Sequence, residues 1–267
     1  MDSFLLKLTE VKIELFRLLD AKSGSFEVST LGNDLIHCLQ THIGNFEDDR
    51  DSSFLLLLRL VSDLQLLERG YPELLNYYQE KLKEKNLGNF YGNRFEIRIA
   101  AALIARGLEF SAAIHRESMP DFAVQFMGKP LVIECKSCAS GRRTLSLVAA
   151  RKKVVDAIQE KASKPYFNSS TWLFIDVTNL LSARDGFSIS DLICEQDELY
   201  LEACARDGGG LGLFWTFWKR EAGRLGVGSN CSLWPCSHAP TYVRAFGKSY
   251  LGKSRPPTAG GWVPART

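Results

Sequence analysis

The sequence predicts an α/β protein, with a mixed central sheet flanked by helices and an α-helical N-terminal region ahead of it. Three observations predict this. Apolar residues recur at three- and four-residue spacing over the first 86 positions, and strand-like and helix-like runs then follow in the order α-β-β-α-β-α-β. Two of those strand runs flank a four-residue gap that reads as a hairpin turn. A chain of 267 residues, 45% hydrophobic and 24% charged, has material for one large core or two modest ones.

In the first region, residues 1–87, Phe4, Leu5, Leu8, Val11, Leu15 and Leu18 repeat at helical spacing, and so do Phe54, Leu57, Leu58, Val61 and Leu64. Breaks fall at Ser23 to Ser25, Gly44 to Asp51 and Gly70 to Pro72. Pro72 suits the first turn of a helix running to about Lys85. Three or four helices forming a small bundle or lid are expected. Gly88 and Gly92 then punctuate the chain before a second region, 88–221, which opens with a helix from about Arg94 to Arg106, stopped by Gly107.

The hairpin comes next, as Phe122 to Phe126 and Leu131 to Lys136 around Met127, Gly128, Lys129 and Pro130. A helix from about Leu145 to Ser163 leads to a strand at Thr171 to Val177. Another helical stretch, near Ile189 to Ala205, leads to an aromatic strand at Leu211 to Trp218. In the last region, 222–267, no acidic residue occurs. Arg224, Arg244, Lys248, Lys253, Arg255 and Arg266 stand there among Gly, Pro and Ser, so a basic, poorly ordered tail is expected.

Composition excludes several classes. Asp2, Glu10 and Glu14 interrupt the first 20 positions, which do not read as a signal peptide. The most apolar run, Phe54 to Val61, contains Arg59 and is far shorter than the ~20 residues of a membrane span. Seven cysteines, an odd count scattered along the chain, favour reduced thiols and a cytoplasmic compartment. Residues 1–87 hold 10 Lys and Arg against 15 Asp and Glu, leaving 23 of the 33 basic and 16 of the 31 acidic residues to the remainder. The second part is thus the one suited to a polyanion.

The chemistry gathers at the hairpin. Hydrolysis of a phosphodiester requires an in-line water and neutralisation of the charge that builds on the phosphoryl oxygens, which carboxylate-bound Mg²⁺ can supply. Side chains two apart on a strand share a face, so Glu134 and Lys136 point together, and a return through the turn brings Glu134 or its neighbours alongside Asp121. Lys136 could orient the water, stabilise the transition state or act as a base. Asp at a turn and Glu-x-Lys on a solvated strand are common for ordinary reasons. Here, however, Leu131-Val132-Ile133 leads directly into Glu134, and a buried charge needs a partner or a metal.

Pro120-Asp121, followed after a hairpin-sized gap by Glu134-Cys135-Lys136, resembles the motif of the PD-(D/E)XK nuclease superfamily, whose fold is restriction-endonuclease-like. The resemblance covers about residues 90 to 220. It implies a metal-dependent endonuclease acting on DNA, with Mg²⁺ as cofactor and Mn²⁺ able to replace it. It implies Asp121 and Glu134 as metal ligands, Glu96 in Arg94-Phe95-Glu96-Ile97-Arg98 as a helix-borne carboxylate supporting the metal or its water, and Lys136 as the catalytic lysine. Some branches carry Gln and Tyr one turn apart on the helix after the motif. Here Ser163 stands four residues after Gln159, so Gln159 alone carries over, as a substrate or lysine contact.

Arg142, Arg143, Arg151, Lys152 and Lys153 follow the motif, where they could meet nucleic-acid phosphates or simply form a solvated face. Cys135 and Cys138 form a C-x-x-C, but Cys135 lies mid-strand, and Cys231, Cys236 and His238 have irregular spacing for zinc. His37, His42, His115 and His238 form no metal pair, and Gly208 to Gly210 with Gly212 lack the Lys-Ser/Thr of a phosphate loop. Two other readings stand beside the nuclease. One is a non-catalytic nucleic-acid-binding module with a nuclease-like fold. The other makes the N-terminal helices, with Phe54 to Leu58, a surface for a partner protein or for a homodimer.

Overall fold

The structure, a computed structural model, describes residues 10–11, 13–15, 17–18, 52–82, 87–112, 119–138, 145–181, 188–193, 207–221, 224–251 and 262–264. The chain divides into two compact units. The first comprises Met1–Ala105, Thr216–Ser229 and Pro256–Thr267, and the second Arg106–Trp215 and Asn230–Arg255.

The first unit is built on helices α1 (Ser52–Gly70), α2 (Pro72–Lys81) and α3 (Leu87–Ala105), with further helical residues among 10–18. Of the predicted stripes Val11, Leu15, Leu18, Val61 and Leu64 are buried, and Leu60 and Leu67 are covered beside them. Pro72 opens α2 as expected. Helix α3 begins seven residues before the expected Arg94 and belongs with the N-terminal helices. Gly88 and Gly92 do not break it, since a helical glycine costs only about 1 kcal/mol and Phe90, fully buried, anchors the extra turns. Its end is as expected, with Gly107 in the left-handed region at φ 67°. The side chains of Phe54 to Leu58 lie outside the described residues.

A charged knot lies within this unit. Asp63 of α1 is 2% exposed and pairs with Arg59 at 2.9 Å. Burial pushes its carboxyl above the ordinary range against the opposing pull of Arg59, Arg98 and Arg94. Arg94 and Arg98 are themselves buried, and Arg98 also donates to Thr216 Oγ1 at 3.0 Å.

The second unit carries β1 (Phe110–Ala112), β2 (Phe122–Phe126), β3 (Lys129–Ser137), helix α4 (Leu147–Ala162), β4 (Thr171–Asp176) and the short helices α5 (Thr178–Leu181) and α6 (Ile189–Leu192). Strands β5 (Gly210–Glu221) and β6 (Arg224–Pro235) begin or end here and extend into the first unit. Helix α7 (Thr241–Leu251) follows, and β7 (Trp262–Pro264) pairs with the start of β6. The strands form one mixed sheet in chain order, β1 to β7. The β1-β2-β3 pairings are antiparallel, β3-β4-β5 parallel and β6-β7 antiparallel. An α/β fold with a mixed sheet is therefore what forms. The helical stretch expected to reach Ala205 is observed at Ile189–Leu192, and residues 194–206 lie outside the described ones.

Where the stretch after Glu221 is described it is not a poorly ordered tail, because β6 and α7 fold there. The cause is a signal that composition hides. Val243, Phe246 and Tyr250 recur at helical spacing, and all three are buried. They pack on the central strand β4, whose six residues are all buried. Trp172 is the hub, with its ring centroid 6.3 Å from Phe246 and its indole nitrogen donating to Val243 O at 3.2 Å. Gly210 lets the indole approach, since a Cβ there would lie 2.6 Å from Trp172 Cζ3. Among the described residues no helix is long and apolar enough to cross a membrane.

Two substitutions test this packing. Asp63→Ala breaks a buried ion pair by removing the carboxylate that Arg59 binds and should lower unfolding free energy by about 3–5 kcal/mol, read from urea titration. Gly210→Ala forces a methyl into the Trp172 ring and should cost about 1–3 kcal/mol, visible as a lower urea midpoint with the slope unchanged.

Candidate active site

The site begins with the turn. Met127 and Gly128 both have positive φ, 55° and 71°, the conformation that matches the twist of a two-residue hairpin. Lys129 and Pro130, expected in the turn, instead start β3 opposite Phe126 and Gln125. This register pairs Phe122 with Ile133, and one further step sets Asp121 opposite Glu134. The two carboxylates predicted to converge do so.

Each side chain is latched to the other strand. Asp121 Oδ2 accepts from the Cys135 backbone N–H at 2.6 Å, and Glu134 Oε1 accepts from the Asp121 N–H at 3.3 Å. Glu134 is fully buried and Asp121 keeps 20% of its side chain exposed. Burial is the main force raising the Asp121 carboxyl to about 6; Lys161 pulls it down and the Glu134 charge pushes it up further.

The cation between them is Lys161, which sequence reasoning did not single out. Its Nζ is 2.7 Å from Glu134 Oε2 and 3.6 Å from Asp121 Oδ2. Burial alone would lower this ammonium, yet the two carboxylates outweigh it and hold the group above its usual value. Tyr166 joins from the loop after α4, with its hydroxyl bonded to Glu134; burial first and that bond second push the phenol up. A signal for Lys161 exists in the sequence. Val154, Ala157 and Ile158 are the buried stripe of α4, and Lys161 continues it at three-residue spacing. A charge on an apolar stripe calls for a buried partner.

The other predicted residues are distributed differently. Lys136 shares the strand face of Glu134, but its Nζ is 2.7 Å from both carboxylate oxygens of Glu160, at the mouth of an open cleft of ≈260 Å³ that Ser137, Cys138, Lys153 and Asp156 also line. Glu96 lies in the first unit, where it accepts from the Tyr78 hydroxyl at 2.9 Å. Gln159 is exposed on α4. Arg151 donates twice to Asp191 O, at 2.8 and 3.1 Å, and Lys152 pairs with Asp156 at 2.7 Å. Arg142 and Arg143 lie outside the described residues. Cys138 is a buried thiol raised to about 12, by burial and then by Asp176. Its Sγ donates to Lys153 O at 3.6 Å.

Among the described residues no group of three or more His, Cys, Asp or Glu converges, so the carboxylate donors of this site are the pair Asp121 and Glu134. Asp121 and Glu134, which already share one monovalent cation, are the oxygen donors here that could hold a hard divalent ion. No protein-family model, curated protein or solved structure matches the chain, and the functional reading therefore rests on the chemistry of these side chains.

The raised Asp121 pKa has a stability consequence. A carboxyl that titrates near 6 when folded and at its ordinary value when unfolded adds stability below about pH 4 that is lost as pH rises through about 6. Asp121→Asn does not titrate there. In chelator, its urea midpoint relative to the unsubstituted protein should climb between about pH 4 and pH 7. A difference that stays flat across that window contradicts the assignment.

Proposed function

We propose that this protein is a metal-dependent nuclease, an endonuclease hydrolysing phosphodiester bonds in DNA, on a restriction-endonuclease-like core. The observation that carries the reading is the convergence of Asp121 and Glu134, from paired strands, on a single cation position held by an ammonium 2.7 Å from one and 3.6 Å from the other. Further support comes from the antiparallel hairpin leading into the parallel strands β4 and β5, the element order that the motif implies.

Asp121 and Glu134 would hold Mg²⁺ or Mn²⁺, which when bound polarises a phosphoryl oxygen and acidifies a water. The chain's own contribution is to aim the two carboxylates by strand register, to latch Asp121 through the Cys135 amide, and to exclude water from Glu134 by burial. Lys136 and Lys153 line the adjoining cleft and would meet neighbouring phosphates without reading bases.

A second reading has its own observation. Lys161 compensates the carboxylates without any metal, which also suits a non-catalytic nucleic-acid-binding module whose ion pair is purely structural.

Purified protein incubated with supercoiled, linear and single-stranded DNA and with RNA, in Mg²⁺, Mn²⁺ or chelator, separates the two. The nuclease reading expects metal-dependent cleavage, reduced about 100-fold or more by Asp121→Asn and by Glu134→Gln, with far-ultraviolet circular dichroism unchanged. Nucleic-acid binding without metal and without cleavage of any substrate supports the module instead.

A further inference from the structure

We infer that Lys161, on the helix after the motif, rather than Lys136 on the motif strand, is the ammonium that works on the scissile phosphate; this rests on the nuclease reading above. An exchange of partners between adjacent residues of α4 carries the inference. Glu160 takes Lys136, gripping its ammonium with both oxygens at 2.7 Å, while Lys161 goes to the carboxylate pair.

The two lysines differ in more than partner. The Lys136 side chain is 34% exposed against a Glu160 side chain that is 54% exposed, a solvated ion pair of small energetic worth. Lys161 is 15% exposed and bonded to a wholly buried carboxylate. In such water-poor surroundings a fixed charge acts strongly on charge that develops nearby. Its position in the last turn of α4 also sets the ammonium at the negative end of the helix dipole, which favours the charged form.

Lys161 therefore has two stations. Before cation loading it neutralises Asp121 and Glu134. Asp121 and Glu134 would hold a divalent cation only by releasing Lys161, whose ammonium would then be left to meet the substrate phosphate. In hydrolysis, water adds to phosphorus as one P–O ester bond breaks. The electron pair leaves on the ester oxygen, which takes a proton from solvent, and the attacking water releases one. Lys161 stays protonated throughout and acts as a charge on the phosphoryl oxygens.

The role makes a combined prediction that a structural lysine would not. Removing the ammonium should abolish turnover while making the carboxylates a better cation site, because their competitor is gone. The experiment compares Lys161→Met, Lys161→Ala and Lys136→Met in the full chain. It measures Mn²⁺ affinity by calorimetry, DNA affinity in Ca²⁺, and plasmid cleavage in Mg²⁺. Lys161→Met should tighten Mn²⁺ binding, leave DNA affinity within about threefold, and lower kcat about 100-fold or more. Lys136→Met should lose less, under about tenfold. Ethylammonium added to Lys161→Ala should restore part of the lost rate, and Lys161→Gln replaces either variant if it does not fold.

Cleavage that survives Lys161→Met but is lost in Lys136→Met overturns this inference and leaves the nuclease reading intact. Weaker Mn²⁺ binding in folded Lys161 variants, with no amine rescue, overturns it in favour of a structural role. A wild-type protein that neither binds Mn²⁺ nor cleaves overturns both.

Discussion

Two carboxylates set face to face across a hairpin, one of them without contact with solvent, repel each other unless a cation lies between them. At an effective dielectric of ~20 the repulsion of two unit charges 4 Å apart is about 4 kcal/mol, a large part of a domain's net stability. The second unit meets that constraint at Asp121 and Glu134. Strand register fixes the pair, the parallel partner β4 backs Glu134 through the Glu134–Leu173 pairing, and the end of α4 delivers Lys161. Burial of Glu134 and the raised Asp121 carboxyl are two aspects of the same arrangement.

What the sequence revealed and what it hid divide along the range of the physics involved. The hairpin was legible because its causes are local. A glycine-containing turn and the period-two alternation of strands bring Glu134 or a neighbour alongside Asp121, whereas the Asp121–Glu134 register itself follows from Lys129 and Pro130 joining β3. Gly107 as a helix stop was legible for the same reason. The partner of Lys161 was not, because Glu134 lies 27 residues away in sequence and is reached only once α4 lies across β3. The same crossing sends Lys136 to Glu160, which no strand-face argument foresees. Glu96 shows the converse: its place on a helix ahead of the hairpin was readable, whereas its bond to Tyr78 depends on how α2 and α3 pack.

Composition misled in one region. The absence of acidic residues after Glu221 and the abundance of Gly and Pro suggested a solvated tail, yet Val243, Phe246 and Tyr250 form a buried stripe against Trp172 and Phe174. Periodicity was the stronger signal there, since burial of apolar area stabilises a helix regardless of the charge around it. The basic run of α4 teaches a related lesson. Arg151 is occupied by the Asp191 carbonyl and Lys152 by Asp156, so part of what reads as a phosphate-binding face serves local structure.

The central claim is that Asp121 and Glu134 form a cation site whose resident ammonium gives way to a divalent ion. Diffraction from crystals of the full chain soaked in Mn²⁺, collected at a wavelength sensitive to manganese, tests it most directly. The account predicts an anomalous peak between the two carboxylates, with the Lys161 side chain moved away from them. A map with Lys161 still bridging the pair and no manganese beside it would contradict the account.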